Sequence, residues 1–357
     1  MPDYEFVDHP DHISQNISNH AQLGVDTEFM REKTYFAQLC LVQVSTRDRI
    51  YCVDPLVTND QAEFWAQLLN GSWVVHSARQ DIEVIYQTAG AMPREIFDTQ
   101  VAAGLLGMSA QVGYAGLVKD LFDVDMAKSH TRADWTRRPL SAEVLDYAAE
   151  DVEYLLPAAD ILSEQLDKKD RLDWARQDSA LLLDRALYEV TSEQAIDRLK
   201  GARNFRGAKR AAAIRLALWR EDEAIRRNRP RQWIIRDSAL LDMAFKLPSS
   251  LKQLESIDGV PPKLVNRAGR DLLELINAAG SDQNGYEPPQ PPNEAQKALL
   301  KELQSRVADC ANDLSLAAET VASKRELSAL IISGSRESRV FSGWRRELIG
   351  ESLLQML

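Results

Sequence analysis

The 357-residue chain is 45% hydrophobic and 27% charged, carries a net charge of −11, and holds three cysteines without paired spacing. This suits a folded protein of two or three domains and excludes a disulfide frame or a cysteine zinc cluster. No apolar run approaches the roughly 18 residues that span a bilayer, and the acidic start "MPDYEFVDHPDHISQN" does not read as a signal peptide, so a cytoplasmic location is expected.

Along the chain, "LGVDTEF", "FAQLCLVQVST" and "RIYCVDPL" read as strands, and "DQAEFWAQLLN" as a helix ending at Gly71. "SWVVHSA" is a further strand, "RQDIEVIYQTAG" a helix stopped by Gly90, and "REIFDTQVAAGLLG" a strand turning into a helix. A polar loop, "AKSHTRADWTRRPL", precedes the strongly helical "SAEVLDYAAEDVEYLLPAADILSEQL", with Ser141 as its expected N-cap. The pattern predicts a mixed sheet with helices on its faces. From about Ser179 the strand signals fade into amphipathic helices, divided by the Pro-rich "GSDQNGYEPPQPPNEAQ". Between residues 198 and 231, twelve Lys and Arg face only three acids. Such a stripe reads as a polyanion footprint, or as a helix face whose arginines pair with acids elsewhere.

Candidate chemistry starts in β-strand "QLGVDTEF". Asp26 and Glu28 are two apart, so they share a face and repel each other. A nearby cation would offset that repulsion; a solvated strand end is the plain alternative. Asp81 falls in the first turn of a helix just past a strand, and Tyr147 and Asp151 stack four apart on another helix. Singly, each has a structural reading. Together, three elements can deliver four carboxylates and a phenol to one pocket. Oxygen-only donors suit Mg²⁺ or Mn²⁺, and two such ions about 4 Å apart are a standard device for phosphodiester cleavage.

"VDTEF", "HSARQDIEVI" and "YAAEDVEYL" resemble the three motifs of the DEDD exonuclease superfamily, with Tyr147 marking its DEDDy branch. "DWTRRPLSAEVLDYAAEDVEYLLP" and, far downstream, "ASKRELSALI" and "FSGWRRELIGESLLQML" are similar to the ribonuclease D family. The resemblance implies an α/β ribonuclease H-like catalytic domain over 1–200, then two all-α HRDC helical bundles over 208–283 and 293–357. It implies Asp26, Glu28, Asp81 and Asp151 as ligands of two divalent ions, and Tyr147 as the residue orienting the attacking water. The implied activity is 3′–5′ exoribonuclease action on single-stranded RNA 3′ ends, tRNA precursors included, with no membrane and no obligate protein partner. A DNA 3′–5′ exonuclease and a non-catalytic RNA-binding protein stay as alternatives. Further candidate RNA contacts are Lys128, Trp135 and Arg138 in the polar loop, unless Trp135 packs the loop down and Arg138 pairs with an acid, then His76, which also reads as a structural residue, and Arg206, Lys209 and Arg210 in the basic stripe. Trp344, Arg345 and Arg346 read as a core aromatic with surface arginines, or as a further RNA contact.

Overall fold

The computed structural model describes residues 2–57, 61–126, 133–189, 195–196, 198–278, 292–334 and 336–357. They form two compact units, one of 1–30, 39–184 and 289–357, the other of 31–38 and 185–288.

The first unit is built on a six-stranded sheet. Its strands are β1 (Tyr4–Val7), β2 (Gln22–Met30), β3 (Gln38–Ser45), β4 (Ile50–Val53), β5 (Ser72–Val75) and β6 (Glu95–Asp98), ordered β1-β4-β3-β2-β5-β6. β1 runs parallel to β4, β4 antiparallel to β3, and β5 parallel to both β2 and β6. Leu39 to Val44 are all buried, as a central strand covered on both faces requires, and this is why "LCLV" reads as a continuous apolar run rather than an alternation. Among the helices are α1 (Ser14–Ser18), α2 (Ala62–Asn70), α3 (Arg79–Ala89), α4 (Thr99–Leu105), α5 (Tyr114–Phe122), α6 (Ala142–Glu153), α7 (Leu155–Asp167) and α8 (Leu172–Ala180). The sheet, the helix starts near Asp81 and Tyr147, and the left-handed stop at Gly90 (φ 70°) agree with expectation. The long helix after Ser141 differs. It breaks at Tyr154 because Pro157, one turn on, cannot donate to the carbonyl of Glu153 and its ring crowds that group. Ser141 holds the N-cap position without a side-chain capping bond.

Gly24 brings this break onto the sheet. A Cβ there would collide with the Ser45 hydroxyl and lie 3.2 Å from Leu155 Cβ. The buried Ser45 Oγ instead donates to Val152 O at 2.9 Å. The absence of a side chain thus lets the end of α6 rest on β2 and β3.

The C-terminal helices α14 (Glu294–Asp313), α15 (Ala318–Val321) and α16 (Lys324–Ser333) belong to this unit, numbered after the helices of the second unit below. Leu303, Val307, Leu327, Trp344 and Leu353 share one apolar cluster with Leu105, Leu162 and Leu166. The Trp344 ring stacks on Trp174 at 4.3 Å, and the buried Arg345 donates to both carboxylate oxygens of Asp178 at 2.5 and 2.6 Å. Arg345 also donates to the carbonyls of Val321 and Thr320. Composition marks these helices off as a separate piece behind the Pro-rich stretch, most of which lies outside the described residues. In the fold they share the core of the sheet domain, and Trp344 and Arg345 face inward.

The second unit has its own apolar core. It comprises α9 (Gly207–Arg226), α10 (Arg231–Ile234), α11 (Asp237–Lys246), α12 (Leu251–Glu255) and α13 (Pro262–Asn277), and residues 31–38 pack here. Asn228 Oδ1 accepts from the backbone N–H of Tyr35 and of Phe36, both at 3.0 Å, and the Tyr35 hydroxyl donates to Glu221. Much of the basic stripe is satisfied internally. Arg198 and Arg231 pair with Glu221, Arg226 and Arg227 with Glu223, which Arg267 from outside the stripe also reaches, and Arg220 with Asp237.

Replacing Arg345 by Met leaves the Asp178 carboxylate buried without its cation. A loss of about 3–5 kcal/mol is expected, read from the urea midpoint with retained circular dichroism. A loss under about 1 kcal/mol would place the pair among weak surface ion pairs and contradict its role in joining α8 to the C-terminal helices.

Candidate active site

Strand β2 pairs with β5 only over Gln22–Gly24, opposite Ser72–Val74. Beyond Val75 the β5 chain leaves the sheet, turns, and starts α3 at Arg79. The rest of β2 therefore runs past its neighbour, and the first turn of α3 reaches its flank. Thr27 Oγ1 donates to Asp81 Oδ1 at 2.5 Å across this gap. On the other side, α6 presents Tyr147 and Asp151 from one face. Carboxylate oxygens of Asp26, Glu28 and Asp151 all lie within 4.8 Å of one another, and Asp81 is the charge that Asp26 feels most strongly. Asp26, Glu28 and Asp151 thus form one acidic cluster, with Tyr147 bonded to Asp151 and Asp81 near enough to repel Asp26.

The electrostatics follow from that crowding. Surrounding protein strips water from Asp26, which is pushed well above the carboxylate range, with Asp81, Asp151 and Glu28 adding repulsion. Glu28 is pushed up to about 8 by burial, then by Asp151 and Asp81. Asp151 rises to about 7 through burial, against the Tyr147 hydrogen bond, which lowers it. Asp81 rises to about 6 through burial, against its bond from Thr27. Burial also raises the Tyr147 phenol, followed by the charges of Asp151, Glu28 and Asp26, so at neutral pH it is an O–H donor to Asp151. Among the described residues none of the four carboxylates sits in an ion pair. An all-oxygen donor set with unneutralised charge fits hard divalent cations, and Asp26, Glu28 and Asp151 could hold one.

Of the other expected residues, those described are held by packing and hydrogen bonds within the fold. His76 is wedged into the fold, its Nε2 donating to Val112 O at 3.0 Å and its Nδ1 2.9 Å from Thr99 Oγ1; burial keeps its pKa below the usual value. Trp135 is 3% exposed and packs against Tyr147 with ring centroids 6.4 Å apart. Arg138 grips the fully buried Asp54 at 2.5 and 2.8 Å and donates to the carbonyls of Cys40 and Trp135. All three groups are engaged in holding the fold. Lys128 lies outside the described residues. Arg206, Lys209 and Arg210 belong to the second unit. There Arg206 donates to Arg203 O and Phe205 O, Arg210 donates to Phe205 O, and the Lys209 ammonium sits 3.5 Å over the Phe245 ring. The supporting residues Thr27, Asp54 and Asp98 were not singled out from sequence. Asp98 alone carried a local signal, an acid directly before a helix start.

Residues 6–167 match the 3′–5′ exonuclease family and residues 210–276 the HRDC domain family. The sheet with its converging acids is thus the catalytic fold of 3′–5′ exonucleases. At the level of whole chains, a ribonuclease D of Gluconacetobacter diazotrophicus is 36% identical over 94% of this chain and 87% of its own. A ribonuclease D of Xanthomonas oryzae pv. oryzae is 32% identical over 99% and 98%. The chain belongs to the ribonuclease D family. The crystal structure of Escherichia coli RNase D, described as an exoribonuclease involved in structured RNA processing, superposes with a TM-score of 0.88 at 27% identity, over 99% of this chain and 98% of that one. The catalytic core of RRP6 from Trypanosoma brucei gives 0.57 at 27% identity over 76% and 78%.

Glu28, Asp151 and Asp81 keep protons in the folded chain at pH values where the unfolded chain, with carboxyls near 4.5 and 3.8, has lost them. Their contribution to metal-free stability is therefore full below those values and is lost as pH rises through about 6, 7 and 8. In EDTA, the stability of Glu28→Gln should decline less between pH 5 and pH 8 than that of the wild type, measured by urea unfolding. Equal slopes would contradict the crowding.

Proposed function

We propose that the protein is a 3′–5′ exoribonuclease that removes nucleoside 5′-monophosphates from single-stranded RNA 3′ ends, in the maturation of tRNA and other stable RNAs. The observation that carries this reading is the convergence of Asp26, Glu28, Asp81 and Asp151, without an ion pair among the described residues, beside a Tyr147 that donates to Asp151. Membership of the ribonuclease D family supports RNA as the substrate. Two ions, Mg²⁺ or Mn²⁺, held by these carboxylates would supply Lewis acidity, acidifying the attacking water and neutralising charge that builds on the phosphodiester oxygens.

The chain's own residues do the rest. The Tyr147 proton is committed to Asp151, so the phenol oxygen is left to accept a hydrogen bond from the water and aim it in line. With its pKa raised, the phenol is a poor base, and positioning is its role. Thr27 fixes one oxygen of Asp81, leaving the other for the site. We read 208–283 and 293–357 as two HRDC-type helical modules. The HRDC match over 210–276 supports the first, and the resemblance of "ASKRELSALI" and "FSGWRRELIGESLLQML" to ribonuclease D supports the second. Exposed members of the basic stripe, Arg206 among them, would steer the RNA body.

A 5′-labelled tRNA with a short 3′ extension should shorten stepwise from its 3′ end with Mg²⁺ and stop with EDTA, while a matched DNA strand is trimmed weakly. Equal trimming of DNA would keep the chemistry and overturn the assignment to RNA. Asp26→Asn and Asp151→Asn should each lower trimming by at least about 10³-fold with the fold intact, and Tyr147→Phe should slow turnover by about 10²–10³-fold while still binding metal. Near-normal turnover in Asp26→Asn would remove the carboxylate site from the reaction.

A further inference from the structure

The turn that carries Asp81 leaves the backbone N–H groups of Ser77 and Ala78 to be met by an acceptor from elsewhere in the fold. Ser77 sits at φ 59°, in the left-handed region that non-glycine residues avoid, and Ala78, the N-cap of α3, has no side chain to accept from the helix start. The missing acceptor comes from another strand. Asp98 closes β6 and caps α4, accepting from Gln100 N at 2.8 Å, and its two oxygens also accept from Ser77 N and Ala78 N, both at 3.1 Å. Asp98 is fully buried. Its own N–H donates to the Oγ of buried Ser179 at 3.0 Å. The preceding residue, Asp178, is the one gripped by Arg345 and by the Trp344 indole N–H.

Asp98 therefore holds the backbone at the middle of the β5–α3 turn, between His76, which is bonded to Val112 and Thr99, and Asp81, which is bonded to Thr27, and the turn sets where the first helical residues stand beside β2. We propose that Asp98 is a positioning residue for the acidic site, fixing the turn that aims Asp81, and that Ser179 ties this hold to the C-terminal helices. The proposal rests on the divalent-metal reading above. It differs from a purely structural role because the turn bears on one ligand of the site. Weakening it should change how the site holds metal more than how it holds RNA.

Asp98→Asn keeps the shape but turns one acceptor into an NH₂ group facing a backbone N–H. Mn²⁺ would be titrated into the full-length chain without RNA, with free Mn²⁺ followed by electron paramagnetic resonance. We expect affinity weakened by about 10–100-fold, the scale for residues that orient metal ligands. Trimming should be lost at low Mn²⁺ and recovered at high Mn²⁺, with KM for RNA unchanged. An unchanged Mn²⁺ titration beside a lowered melting temperature would overturn the proposal and leave Asp98 a structural cap. If Asp98→Asn fails to fold, Ser179→Ala decides by the same titration, with a weakened midpoint supporting and an unchanged one refuting. Wild-type protein that binds no Mn²⁺ would instead sink the underlying metal reading.

Discussion

Burial of Asp26, Glu28, Asp81 and Asp151, with the repulsion it strengthens, is the constraint around which the first unit is organised. Four carboxylates with little water and no ion pair among the described residues are unfavourable in the metal-free chain, as the upward shifts of Glu28 to about 8 and Asp151 to about 7 record. A fold that brings them together must spend rigidity elsewhere. Gly24 lets α6 approach the sheet, the Ser45 hydroxyl ties Val152 down, Thr27 holds Asp81, and Asp98 holds the turn before it.

The C-terminal helices enter the same arrangement. Arg345 and Trp344 fix Asp178 on α8, and the next residue supports Asp98 at the end of β6. A segment that composition separates from the rest by a Pro-rich stretch is thereby part of the scaffold beneath the acidic site. The second unit differs in kind. Its arginines cluster in sequence, yet Glu221 and Glu223 take up four of the cluster, and Arg267 besides, so its usable positive charge is smaller than the residue count suggests.

What sequence revealed depended on the range of the interaction. The i, i+2 acids of β2, the i, i+4 pair of α6 and the first-turn acid of α3 are local patterns, and each fell where its period put it. The loop residues Trp135 and Arg138 read equally as RNA contacts or as a packed ring and an ion-paired arginine, because a polar loop does not show which partner they have. Their partners, Tyr147 packing and the buried Asp54 84 residues away, are set by tertiary structure. Arg345 and Asp178, 167 residues apart, were beyond any periodicity, as was the role of Asp98 in a turn on another strand. Pro157 did carry the signal for the helix break, but the apolar spacing continues through it.

The central claim, that these carboxylates wait partly protonated for divalent cations, is tested most directly by calorimetric titration of Mn²⁺ into the full chain at pH 7, repeated in buffers of different ionisation heat. Metal must displace the protons held by Glu28 and Asp151, so the observed heat should vary with the buffer and show net proton release that shrinks as pH rises through about 7 and 8. Binding with the same heat in every buffer would mean that the carboxylates were already charged, and would contradict the repulsion from which the rest of the structure has been explained.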